Sequence, residues 1–240
     1  MKLFVTDYDD TLYTSESSIK NNIKKLKELQ SNDYLVMIAT GRSFSSIKKQ
    51  IVERKIPYDY LSCADGSIIY DKNDKIIYAD YMDTEIIKPF QEFYEKLNYE
   101  EIQFSYPEGY LNSLKDTEQI LGINVCLDTR LYNKKIEKNF YKLEKKYPNY
   151  NYLAYSHPNY SYLCIKPSGI SKSYSISVIQ KKHNIAKDDI YVIGDSSNDI
   201  EMISDFNGVG MTKSCDEILK IVNVTYDEVS DYIDIIINNI

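Results

Sequence analysis

Short, unbroken apolar runs that close in acidic or glycine-bearing turns, with amphipathic helical stretches between them, constrain this chain most. Leu3-Phe4-Val5-Thr6, Tyr34–Ala39, Tyr60–Cys63 and Ile190-Tyr191-Val192-Ile193 are such runs. Runs of this length without polar alternation fit strands buried on both faces. Between the first two, Ile19, Ile23, Leu26 and Leu29 recur at spacings of three and four, the pattern of an amphipathic helix, with Ser18 placed to cap it. Residues 43–54 and 171–183 also read as helices, and Asp199 opens another that runs to Ser204. Ile68-Ile69-Tyr70 and Ile76-Ile77-Tyr78, separated by five polar residues, read as a hairpin. Strands alternating with helices at both ends of a chain predict a Rossmann-like, doubly wound α/β core: a parallel sheet with helices on both faces.

The middle has a different texture. Residues 83–98 and 133–147 read as long helices, and residues 102–106, 151–155 and 160–165 as alternating strands. The last two strands flank His157-Pro158-Asn159 as a hairpin, from which His157 either reaches a ligand or simply sits at an exposed tip. This is an α+β segment with an antiparallel sheet. At 240 residues the chain is long for one minimal domain and short for two full ones. One core assembled from residues 1–79 and 166–240, with an inserted domain at 80–165, fits both facts. The insertion is rich in tyrosine, which suits a half-exposed sheet face over a ligand and suits any solvent-facing strand as well.

Composition removes several classes of function. With 29 basic against 36 acidic residues the chain carries −7, and no basic block stands out, so nucleic acid is not an expected partner. No apolar run reaches the roughly 18 residues needed to span a membrane. The first strand meets Thr6 and Asp7 too soon for a secretory signal, and a cytoplasmic location is expected. Cys63, Cys126, Cys164 and Cys215 form no close pair and read as small buried thiols rather than metal or disulfide partners. Two histidines, His157 and His183, are too few for a histidine-based zinc site or a Ser-His-Asp triad.

Open α/β sheets bind ligands outside the carboxyl ends of their strands. The residues there are Asp7, Asp9 and Asp10 after the first run, Thr40, Gly41 and Arg42 after the second, Asp65 and Gly66 after the third, and Gly194, Asp195, Asn198 and Asp199 after the last. Gathering so many carboxylates without a cation would cost heavily in repulsion. An all-oxygen donor set suits a hard divalent cation, and Mg²⁺ is the expected cofactor.

These segments resemble the four motifs of the haloacid dehalogenase superfamily. Asp7-Tyr8-Asp9-Asp10-Thr11-Leu12 is similar to its DxDxT nucleophile loop and Ala39-Thr40-Gly41-Arg42 to its second motif. Lys172, at the end of Lys166-Pro167-Ser168-Gly169-Ile170-Ser171-Lys172, resembles the third, and Gly194-Asp195-Ser196-Ser197-Asn198-Asp199 the fourth. Order and spacing match along the whole chain. The insertion resembles the C2B-type cap of the Cof-like phosphatases, and Gly208-Val209-Gly210-Met211 follows the same branch. Three positions depart from that branch: Asp10 stands where glycine is usual, Ala64-Asp65-Gly66 where Asn-Gly-Ala is commoner, and Met211-Thr212-Lys213 where Met-Gly-Asn is usual. Asp tolerates left-handed backbone, so the first leaves activity intact.

The resemblance implies a Mg²⁺-dependent phosphatase of small phosphate monoesters, sugar phosphates foremost, acting through an aspartyl-phosphate. Asp7 would be the nucleophile and Asp9 the general acid and base, a role that needs a proton on Asp9 near neutral pH. Asp7, Asp195, Asp199 and the backbone carbonyl of Asp9 would serve the metal. Thr40, Gly41, Lys172 and Asn198 would hold the phosphoryl group, and Arg42 and Asp65 would face the substrate. Arg42 has the alternative of pairing with a core carboxylate. Two other functions stay open on the sequence: a sugar phosphomutase, told apart by its product, and a non-catalytic phosphometabolite-binding module, which the intact Asp7, Asp9, Lys172 and Asp195 disfavour.

Overall fold

The computed structural model of the chain describes residues 1–115, 118–156 and 159–238. His157 lies outside them. The chain forms two compact units: residues 1–42, 46–78 and 171–240, and residues 43–45 and 79–170.

The first unit opens with β1 (Lys2–Thr6), α1 (Glu16–Ser31), β2 (Tyr34–Ala39), α2 (Phe44–Arg54) and β3 (Tyr60–Cys63), followed by β4 (Ile68–Asp71) and β5 (Ile76–Ala79). The second unit supplies α3 (Thr84–Tyr94), β6 (Glu101–Ser105), β7 (Tyr110–Leu111), β8 (Gly122–Asp128), α4 (Lys134–Lys146), β9 (Tyr150–Ser156) and β10 (Tyr160–Pro167). The chain then returns through α5 (Lys172–His183), β11 (Ile190–Gly194), α6 (Ile200–Asp205), β12 (Val209–Met211), α7 (Asp216–Ile221), β13 (Thr225–Tyr226) and α8 (Val229–Asn238).

The larger sheet runs β13-β12-β11-β1-β2-β3-β4-β5. Its strands are parallel from β13 to β3, and β4 returns antiparallel to β3. The central position of β1 explains its composition: Leu3, Phe4 and Val5 are fully buried because helices cover both faces. One face packs Leu3, Val5, Met37 and Val192 against Ile176, Ile179, Met202 and Ile203. Burying a side chain of this size stabilises by about 1.5–3 kcal/mol.

Helix α1 starts earlier than the periodicity suggested. Its cap is Ser15, whose side chain accepts the backbone N–H of Ser18, while Ser18 is itself helical and buried. A hydroxyl cap of this kind contributes about 1 kcal/mol. On the buried face of the helix, Asn22 donates to the Leu12 carbonyl at 2.9 Å and accepts the Ser230 N–H at 2.9 Å. This one amide ties α1 and the start of α8 to the turn that follows β1.

The second unit is a sheet in the order β7-β6-β8-β10-β9, in which every neighbouring pair is antiparallel. Ile102, Phe104, Ile123, Val125, Leu127, Leu163 and Ile165 share one core with Phe90 of α3 and Phe140 of α4. β8 was not foreseen, although Ile123, Val125 and Leu127 alternate as a half-buried strand should. Helix α3 ends at Tyr94, four residues short of the expected 98. Cys63, Cys126 and Cys164 are buried, as expected of small thiols. No helix among the described residues is long and apolar enough to cross a membrane.

Candidate active site

The carboxyl edge of the large sheet carries the predicted residues, and the backbone explains how. The Asp7 N–H donates to the Ile193 carbonyl at 3.1 Å, which extends the β1–β11 ladder by one residue. Asp7 is thereby held beside the end of β11, where Asp195 follows. The chain next turns tightly, with Leu12 N–H on the Asp7 carbonyl and Tyr13 N–H on the Tyr8 carbonyl. Asp10 takes φ +56° in this turn, the left-handed conformation where glycine would otherwise be favoured.

Lys172 is the first residue of α5, and Ser171 caps the helix by accepting the Tyr174 N–H. Gly66 sets where this helix begins. At φ +99° it lies so close to Ser171 that a Cβ would fall 2.1 Å from the Ser171 carbonyl oxygen. Ala64 and Asp65 precede it at φ +50° and +52°, so three consecutive residues are left-handed. Strained backbone of this kind persists only where the surroundings enforce it.

Lys172 Nζ donates to Asp7 Oδ1 at 2.6 Å and to Asp199 Oδ1 at 2.7 Å, with all three side chains almost wholly buried. Burial works against the ammonium, but the two carboxylates outweigh it and hold the Lys172 pKa above the ordinary lysine value. Burial raises the pKa of Asp7 and the nearby Asp199 adds to that, while Lys172 opposes both. Asp195 is likewise raised, first by burial and then by Asp199 and Asp10, against the Thr11 hydrogen bond.

One carboxylate oxygen from each of Asp7, Asp195 and Asp199 lies within 4.8 Å of the others. The donors are oxygens only, and the crowding of buried negative charge is what a hard divalent cation relieves, so the residues present fit Mg²⁺. Asp199 is the most heavily engaged of the three. Its Oδ2 accepts the backbone N–H groups of Asp195 and Ser196, each at 3.0 Å, besides the Lys172 bond on Oδ1. It therefore suits the support of the Asp195 loop better than direct coordination. Gly194 leaves room for it, since a Cβ there would lie 2.6 Å from Asp199 Cγ.

The remaining predicted residues form two further groups. Arg42 pairs with Asp9 through Nε to Oδ2 at 2.7 Å and Nη2 to Oδ1 at 2.5 Å. Asn198 donates to Asp65 Oδ1 at 2.9 Å, and Gly41 lies against the same carboxylate. Thr40 is buried, and its Oγ1 accepts the Arg42 N–H at 3.1 Å. Thr11, in the first motif, joins the site through a contact the sequence did not signal. Its fully buried hydroxyl donates to Asp195 Oδ1 at 2.5 Å and joins the first loop to the fourth.

An open, mainly parallel sheet with a buried carboxylate–lysine cluster at its strand ends defines an α/β enzyme architecture built around an anionic, cation-accepting centre. A family model described as haloacid dehalogenase-like hydrolase matches residues 4–122 and 107–233. The chain belongs to the haloacid dehalogenase-like hydrolases. It is 29% identical over 236 residues to an uncharacterised protein of Mycoplasma capricolum, covering 85% of this chain and 88% of the other. It is 25% identical over 238 residues to the 5-amino-6-(5-phospho-D-ribitylamino)uracil phosphatase YcsE of Bacillus subtilis, covering 96% and 90%. Among solved structures, a haloacid dehalogenase-like hydrolase from Bacteroides thetaiotaomicron superposes with a TM-score of 0.79 at 20% identity, covering 98% of this chain and 99% of the other.

Proposed function

We propose that the chain is a Mg²⁺-dependent phosphatase of small phosphate monoesters, sugar phosphates foremost, working through an aspartyl-phosphate on Asp7. The observation that carries this reading is the buried contact of Asp7 with Lys172, beside Asp195 and Asp199. The YcsE protein is named for a phosphate on a ribityl chain, which supports a polyol or sugar phosphate as the substrate class.

In this reading Asp7 and Asp195 would hold the metal with their side chains and Asp9 with its backbone carbonyl, and Asp199 would support the Asp195 loop. Bound Mg²⁺ supplies positive charge that neutralises the phosphoryl oxygens. The Asp7 carboxylate attacks phosphorus, and the bond to the leaving oxygen breaks with its electron pair on that oxygen. Asp9 gives the departing alkoxide a proton. Water then attacks the phosphoaspartate and passes a proton to Asp9, and Asp7 is restored as a carboxylate. Lys172 stabilises the charge shared by Asp7 and the phosphoryl group. Thr40, Gly41 and Asn198 bind its remaining oxygens, and Asp65 contacts the leaving group. The second unit acts as the substrate-selecting cap.

Asp7→Asn assayed with p-nitrophenyl phosphate and Mg²⁺ tests the reading. Turnover is expected to vanish while the variant stays folded, and persistent turnover overturns the mechanism.

A further inference from the structure

Among the described residues, Arg42 is the one side chain that hydrogen-bonds the Asp9 carboxylate. It does so as a fork, one guanidinium edge against both oxygens, the strongest geometry available to such a pair. Asp9 otherwise stands on a turn, with its side chain 47% exposed. Arg42 is itself braced. Its guanidinium carbon lies 5.3 Å from the centre of the Tyr8 ring, and Tyr8 stacks on Tyr13 at 6.0 Å with the rings 10° from parallel. Arg54 lies 4.7 Å over the other ring of that stack and is tied to Glu16 at 2.6 Å. The ladder Arg42, Tyr8, Tyr13, Arg54 thus spans both ends of the turn that carries the catalytic aspartates.

We infer that Arg42 is a positioning residue for Asp9 and not a ligand of the substrate. This rests on the phosphatase reading above. A carboxylate has about four lone-pair sites, and the fork uses one on each oxygen, so each oxygen keeps another for a proton. The pair suits the half-reaction in which Asp9 acts as base. Water loses a proton to Asp9 and forms its bond to phosphorus. The phosphorus–Asp7 bond breaks, and its electron pair returns to the Asp7 carboxylate. Arg42 fixes the rotamer of Asp9 for this step. The proton then on Asp9 is the one the next leaving oxygen takes.

A double-mutant cycle with Arg42→Gln, Asp9→Asn and both together tests this, with p-nitrophenyl phosphate as the substrate. Arg42→Gln is expected to lower kcat about tenfold or more, within the range of general acid–base effects, with KM held within about twofold. In the Asp9→Asn background the same change is expected to have no further effect, because the residue it positions is gone. Arg42→Lys is expected to remain as slow as Arg42→Gln, since an ammonium cannot make the fork. It also serves the cycle if the glutamine variant fails to fold. A rise in KM with kcat preserved, or effects that multiply across the cycle, would show Arg42 on the substrate and overturn the inference. Rescue by lysine would reduce its role to bulk charge and overturn it too. Turnover retained by Asp7→Asn is the separate result that sinks the phosphatase reading itself.

Discussion

Lys172 Nζ lies 2.6 Å from Asp7 Oδ1, and the two side chains are only 1% and 6% exposed. Charges out of water at this depth tolerate each other only as partners. Lys172→Met leaves Asp7 and Asp199 facing each other without a cation. The expected loss is about 3–5 kcal/mol of stability, read from the urea midpoint at constant slope. An unchanged midpoint would mean the acids are hydrated and the cluster is looser than described.

Asp195 links stability to pH. Its folded-state pKa is raised by burial and by its acidic neighbours, so the folded form binds the proton more tightly than the unfolded chain does. Stability from this group is therefore present below the ordinary carboxylate range and is lost as pH rises through the folded pKa. Lys172 does not enter this window, because its pKa is raised from an already basic value. In metal-free buffer, the melting temperature of the wild type is expected to fall relative to Asp195→Asn as pH rises upward from about 4, the ordinary carboxylate value. A constant difference across that range removes Asp195 as the source.

Divalent cation should reverse that loss. Mg²⁺ at about 100 times its Kd is expected to add about 2.7 kcal/mol to the folded state, seen as a rise in melting temperature. Chelator returns the protein to its starting melting point. Asp195→Asn should lose most of this rise, and Thr11→Val part of it through the Asp195 Oδ1 hydrogen bond. An undiminished rise in Asp195→Asn would place the ion elsewhere.

Gly66→Ala probes the strained loop. Its φ of +99° and the 2.1 Å approach to the Ser171 carbonyl leave no space for a methyl group. The expected cost exceeds about 2 kcal/mol, the sum of a misplaced left-handed residue and a backbone clash. Because the clash falls on the cap of α5, turnover should drop along with stability. Gly169→Ala is the control, with a positive φ and nothing within 4 Å.

Much of this was legible beforehand, for physical reasons. Leu3 to Val5 and Tyr34 to Ala39 are apolar throughout because their strands are covered on both faces, and such runs stand out in a sequence. The motif aspartates were legible because so many carboxylates gathered at strand ends repel one another unless a cation joins them. Ser15 was missed as a cap because periodicity begins only at Ile19, one turn into the helix. β12 and β13 were missed because strands of three and two residues carry too little pattern to see. The pairing of Arg42 with Asp9, and of Asn198 with Asp65, depends on loop paths that no local signal encodes. Thr11 is the exception: its motif was recognised, and only its contact with Asp195 was unknown.

The central strand has a further consequence for how the protein is made. β1 lies between β2, which follows it closely, and β11, which is encoded more than 180 residues later in the register Leu3 to Ile190. During synthesis, β1 can acquire one neighbour early, while its other edge stays unpaired until β11 has been made. Lys172 reaches Asp7 across 165 residues, so the acid that later lies sealed in the interior must first wait in water. Such long-range pairing is slow and leaves an open strand edge as a hazard in the nascent chain. β11 thus gives β1 its second neighbour and, with the Asp195 to Asp199 loop that follows it, completes the reactive centre, so a chain cut short before β11 would have neither.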